Sequence, residues 1–194
     1  MLTVTKRLAA RAEIEGAIRC IAADENYLAG ELLASAAIDV IAGVAKVARI
    51  ETMNDRFLER IKRDKVQEAK NIMRKPYNFL KHSDRDRDTA IDRYNPDAAI
   101  WRIFVACIDY DLVWNQITFR MIVFMSWFYS RNPSVLEGGT HHEREAFEKS
   151  YGSMASLSRT AALGVLGRIL RDLDGTELLI LANRELAATG RIER

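Results

Sequence analysis

Residues 27–47 read YLAGELLASAAIDVIAGVAKV, and the spacing within this stretch decides the fold class. Leu28, Leu32, Leu33, Ile38 and Ile41 fall at helical intervals and gather toward one side of a helix. Six alanines between positions 29 and 45 leave small surfaces where a neighbouring helix can approach closely. Upstream, Thr5–Ala22 places Leu8, Ala12, Ile14, Ile18 and Ile21 near one face, and Asp24-Glu25-Asn26 breaks the pattern. The two segments are expected to form an antiparallel helical hairpin joined by a short turn. Neither the period-2 alternation of strands nor an Asn-Gly or Asp-Gly hairpin turn is sustained anywhere in the chain.

Helical signals continue outward from the hairpin. Thr52–Lys75 is polar, with eight Lys or Arg against four Asp or Glu, and its apolar positions suit two helical pieces. Pro76 interrupts that pattern, so a kink or a fresh helix is expected there. Asn95-Pro96-Asp97 combines a capping residue, a first-turn proline and an acid at a helix N-terminus. The helix it opens carries Trp101, Phe104, Val105, Ile108 and Leu112. Asn115–Ser130 reads as a further helix, apolar all round, which must be covered on every side. It is expected to be the central helix. Ser158–Leu173 and Glu177–Ala188 complete the set, with Thr176 as a cap and Gly175 and Gly190 as stops.

The chain has 194 residues, 48% hydrophobic and 29% charged, which suits one domain with a real core. Its net charge of +2 gives no overall pull toward nucleic acid or anionic lipid. The longest apolar run, Met121–Tyr129, is too short for a bilayer that needs about 20 residues. No secretory signal opens the sequence, and Cys20 and Cys107 lack metal or redox spacing. These features suit a reduced, cytoplasmic setting.

The densest polar chemistry lies in Asn78-Phe-Leu-Lys81-His82-Ser-Asp84-Arg-Asp86-Arg-Asp88. Read as a calcium loop from Asp84, it offers ligands at Asp86, Asp88 and Asp92. It has Thr89 where glycine is required and Asn95 where a bidentate glutamate belongs. Alternating Asp and Arg more often form a solvated salt-bridge cluster. Asn78, Lys81, His82 and Asp84 are expected to form one hydrogen-bonded cluster, because helical spacing sets the first three on a common edge. His82 and Asp84 are the best catalytic candidates. His141 and His142 are adjacent in sequence and point apart on a helix, so no metal site is assigned. No phosphate loop, H-E-x-x-H or G-x-S-x-G motif is present, and no cofactor is expected. Asp39, Asp109 and Asp111 sit in apolar helices, where Arg102 or Arg120 would be their natural partners. Arg56–Lys75 is the one stretch that could touch nucleic acid; without exposed aromatics it reads better as a solvated helix face.

In its opening Ala17-Ile18-Arg19, Ala36-Ala37 and Asp39-Val40-Ile41, and in its Asn78-Phe79-Leu80-Lys81-His82-Ser83-Asp84-Arg85-Asp86 block, the chain resembles uncharacterised bacterial all-helical proteins with an N-F-x-K-H-x-D-R-D signature. The resemblance covers roughly residues 5–130. It implies a bacterial all-helical protein and no particular activity. The hairpin layout also resembles HEPN-like domains, many of them RNases with an Arg four to six residues before a His; here Arg74 precedes His82 by eight.

The expected architecture is therefore an all-α, single-domain bundle of about seven to nine helices over residues 1–194, with 132–194 as a candidate C-terminal extension. The expected function is that of a non-catalytic helical protein acting through self-association, as a homodimer, or through protein-protein interaction. Its motive is the all-round apolar helix and a small-residue face at Ala161, Gly164 and Gly167. The alternative is a nuclease or metal-dependent hydrolase using His82 and Asp84.

Overall fold

A computed structural model describes residues 3–23, 26–81, 90–135 and 142–174. Among these the fold is all-helical, with eight α-helices, 81% of residues helical and no β-strand. The order is α1 (Lys6–Ala23), α2 (Tyr27–Ala48), α3 (Met53–Glu59), α4 (Val66–Lys81), α5 (Asp97–Trp114), α6 (Phe119–Arg131), α7 (His142–Tyr151) and α8 (Arg159–Asp174). α1 and α2 pack closely as the N-terminal hairpin. Glu177–Ala188, with Thr176, Gly175 and Gly190, lies outside the described residues.

The chain divides into two compact units. One comprises residues 1–17 and 26–115, the other residues 18–25 and 116–194. In the first, α2 packs against α4 and α5, and α3 against α5. Asn26 caps α2 by accepting from the Ala29 N–H, and Arg49 ends it in the left-handed region at φ 57°. Ala34, Ala37, Ile41 and Ala45 of α2 are buried, as are Ile103, Phe104, Cys107 and Tyr110 of α5. The alanines permit close approach, and the large α5 side chains fill the space between.

α2 is the one described helix long and apolar enough to cross a membrane. The reading from continuous apolar runs passed it over, because Glu31 and Asp39 interrupt its apolar residues. It packs against two helices, and an ion-paired glutamate stands in its second turn.

α4 runs unbroken through Pro76, so no new helix begins there. α5 starts as read: Pro96 already has helical dihedrals, and Asn95 Oδ1 accepts from the Asp97 N–H at 3.0 Å. It ends at Asn115, whose left-handed backbone (φ 50°) donates back to the Asp111 carbonyl. The expected Asn115–Ser130 helix is thus corrected to Phe119–Arg131, with Thr118 as its cap, accepting from the Met121 N–H.

In the second unit α6 packs against α7 and α8. Met121, Phe124, Trp127 and Phe128 are fully buried, and no residue of α6 is exposed. Trp127 Nε1–H donates to the Ala162 carbonyl at 2.8 Å, and Ser130 Oγ donates to Glu148 and accepts from the Met154 N–H. This is the central helix, covered within the chain. Its large apolar side chains pack within this unit. The small-residue face is divided too. Gly167 is buried, and a Cβ there would come within 2.4 Å of the Ala22 carbonyl oxygen; Ala161 and Gly164 are exposed.

Candidate functional site

Glu31, Ser35 and Asp39 are four residues apart in turn, so they stack along one edge of α2. Glu31 is 0% exposed, and its Oε1 lies 2.6 Å from Arg102 Nε of α5. Burial raises the Glu31 pKa, opposed by the charge and hydrogen bonding of Arg102. The guanidinium also donates to the Met73 carbonyl of α4. Three residues on, Pro76 has no N–H to offer the Ile72 carbonyl of the same turn. Nearby, the Tyr94 hydroxyl donates to the Tyr27 carbonyl at 3.3 Å; burial, and then the charge of Glu31, raise its pKa.

One turn along α2, Ser35 is 6% exposed, and its buried hydroxyl has no hydrogen-bond partner among the described residues. Ser35 is among the residues that line a cavity of about 460 Å³. Ser35, Ile38, Asp39 and Ala42 of α2 form one wall, and Asn54, Asp55 and Leu58 of α3 another. α4 supplies Gln67, Asn71, Arg74 and Asn78 at helical spacing, with Lys70 and Tyr77 beside them, and Arg102 reaches in from α5. Asp39 and Arg74, both well exposed, form an ion pair that links α2 to α4.

The short α3 is set in place from α5. Asp109 is buried, and its Oδ1 accepts from the Met53 N–H at 2.6 Å; the Asn54 N–H also donates to it. Burial is the largest influence on Asp109 and pushes its pKa up to about 6, against these two N–H donors. Thr52 and Asp55 close a reciprocal capping box at the same helix start. The buried Asp109 and the capping box together fix the cavity wall that carries Asn54 and Asp55.

Of the residues singled out from sequence, Asn78 lines this cavity. Lys81 stands one turn further on, its ammonium 5.3 Å from the centre of the Tyr77 ring. His82, Asp84, Asp86, Asp88 and His141 lie outside the described residues, and His142 is exposed on α7. The expected partners of the buried acids need correcting. Asp39 is exposed and pairs with Arg74, and Asp109 is held by backbone N–H groups. Arg102 takes Glu31, a residue the sequence reading passed over. Glu31, Ser35 and Asn54 all belonged on the candidate list. A lone glutamate between Gly30 and Leu32 in an alanine-rich helix was the available signal, with Ser35 and Asp39 following at the same interval.

The basic stretch also needs correcting on one point: Phe57 of α3 is 52% exposed, so an aromatic does stand on that surface. α3 has no buried residue, and seven residues are too few to turn a whole face inward. Among the described residues no three His, Cys, Asp or Glu side chains come together as metal ligands would. Compared with known protein families, curated proteins and solved structures, the chain matches none.

Proposed function

We propose that this chain is a non-catalytic helical binding protein whose cleft among α2, α3, α4 and α5 holds a small polar molecule. One observation carries the reading: the Ser35 hydroxyl is buried in the cleft wall without a partner, one turn from the buried Glu31–Arg102 pair. Leaving such a group unsatisfied costs about 1–3 kcal/mol. A bound polar molecule would recover that cost. The cavity volume is in the usual range for small-molecule sites, and the polar groups on its walls would fix a ligand's orientation.

A thermal-shift screen against small polar metabolites tests this. A compound at 100 times its Kd stabilises the native state by about 2.7 kcal/mol. At least one compound is expected to raise the Tm of the wild type and to lose that effect in Ser35→Leu. Asn78→Leu, at an exposed position of the same cleft, serves if Ser35→Leu does not fold. A broad panel that leaves the wild type unmoved contradicts the proposal.

A second reading, self-association as a homodimer, is supported by a stripe on α5. Trp101, Val105, Ile108 and Leu112 follow a four-three-four spacing, the repeat that lets two copies of one helix pack together. Trp101 is 41% and Leu112 40% exposed. Light scattering after size exclusion should then give twice the chain mass for the wild type and the single mass for Leu112→Glu. A strict monomer at micromolar concentration removes this reading. The nuclease or hydrolase alternative rests on His82 and Asp84, outside the described residues, and has no part in the proposal.

A further inference from the structure

We infer that the ligand of this cleft is a small zwitterion, an amino acid or short peptide with a free ammonium and a free carboxylate. The inference rests on the reading of the cleft as a binding site and goes beyond it to the ligand's chemistry.

Charge is arranged by wall. α4 contributes the cations Lys70 and Arg74, while α2 and α3 contribute the anions Asp39 and Asp55. Arg102 adds no net charge, because Glu31 pairs with it. Arg74 and Asp39 neutralise each other as an ion pair, which leaves Lys70 on α4 and Asp55 on α3 as one cation and one anion on different walls. A phosphate ester would match Lys70 and leave Asp55 against a like charge, and a simple cation would match Asp55 and meet Lys70. Either leaves one of the two charges unmatched. A molecule with one charge of each sign can satisfy both walls. Lys70 has no ion-pair partner among the described residues, so its ammonium is available to a ligand carboxylate.

The neutral groups point to the same class. Asn54, Gln67, Asn71 and Asn78 each present a carboxamide; Gln67 Nε2 donates to Asn71 Oδ1 at 3.0 Å, and all four keep further donor and acceptor capacity. A peptide group also offers one N–H and one C=O, so carboxamides and a peptide backbone match group for group. The Ser35 hydroxyl adds a further donor and acceptor at the buried end. A sugar would suit the carboxamides and leave the separated charges unused.

Calorimetric titration of the full chain with alanyl-alanine, its N-acetylated and C-amidated form, glucose and AMP tests the inference. Free alanyl-alanine is expected to bind at one site, and the blocked form to bind at least roughly tenfold more weakly. Lys70→Gln, at an exposed position, is expected to weaken the free dipeptide by a similar factor and to leave the blocked form unchanged. If glucose or AMP binds and the dipeptide does not, the ligand class is wrong while the cleft still stands as a site. If no probe binds and the metabolite screen is also silent, the cleft reading itself fails. Dipeptide binding that is indifferent to both Lys70→Gln and Ser35→Leu places the ligand elsewhere and overturns the inference.

Discussion

Glu31 and Arg102 each need the other. A carboxylate at 0% exposure is tolerable beside a guanidinium 2.6 Å away, and intolerable without one. Removing one member of such a pair costs about 3–5 kcal/mol, whereas replacing both with apolar residues is often close to neutral. Arg102→Met is therefore expected to lower unfolding stability in urea by about 3 kcal/mol, and Glu31→Leu/Arg102→Met by much less. Additive losses in the double variant would show that the two residues act separately. Asp109 gives a test by pH. Its folded pKa of about 6 lies above the ordinary 3.8, so the native state holds that proton more tightly than the unfolded chain does. The resulting stability is fully present below about pH 3.8 and is lost as pH rises through 6. Wild type should therefore lose stability relative to Asp109→Asn between those values. The opposite slope would mean that the Met53 and Asn54 N–H groups outweigh burial. At this scale the sequence was half legible. An acid in an apolar helix announces a partner, but which partner depends on how α2 and α5 meet, and periodicity does not report that.

Helices were the most legible part of the chain, because each carries its own periodicity and caps. α1 and α2 fell within about a residue of their expected ends, and α5 began at Asn95-Pro96-Asp97 as read. The misses came where two local signals compete. Ile117 extends the apolar pattern of α6 upstream, yet Asn115 ends α5 in the left-handed region and Thr118 supplies the new cap. Pro76 suggested a break, yet α4 continues through it, with the adjacent Met73 carbonyl held by Arg102. On α8 two glycines one turn apart differ sharply. Gly167→Ala would drive a methyl group into the Ala22 carbonyl oxygen, which is backbone and has little room to retreat. Nothing lies within 4 Å of a Cβ at Gly164. Thermal melts should show Gly167→Ala destabilised by about 1–3 kcal/mol from overpacking, and Gly164→Ala stabilised by up to about 1 kcal/mol from helix propensity. Equal effects at the two sites would contradict the packing of α8 on the end of α1.

For the whole molecule, the all-helical class could be read from pattern, and the site could not. The cleft draws on four helices, and its chemistry lies in Ser35, Asn54 and Asn71, ordinary polar residues with no motif among them. The conspicuous Asp-Arg run drew the sequence reading toward His82, while Asn78, at the near end of that block, turned out to line the cavity. Nor does periodicity show that the chain forms two compact units, or that all the residues of the cleft belong to the first. The central claim is that this cleft is where the protein binds its ligand. The most direct measurement is a two-dimensional amide NMR spectrum of the labelled full chain, recorded with and without a polar compound that shifts its melt. The expected result is a set of displaced signals confined to the cleft, with Ser35, Asn54, Asn71 and Asn78 among them. Displacements gathered on α7 and α8, with these four unmoved, would contradict it.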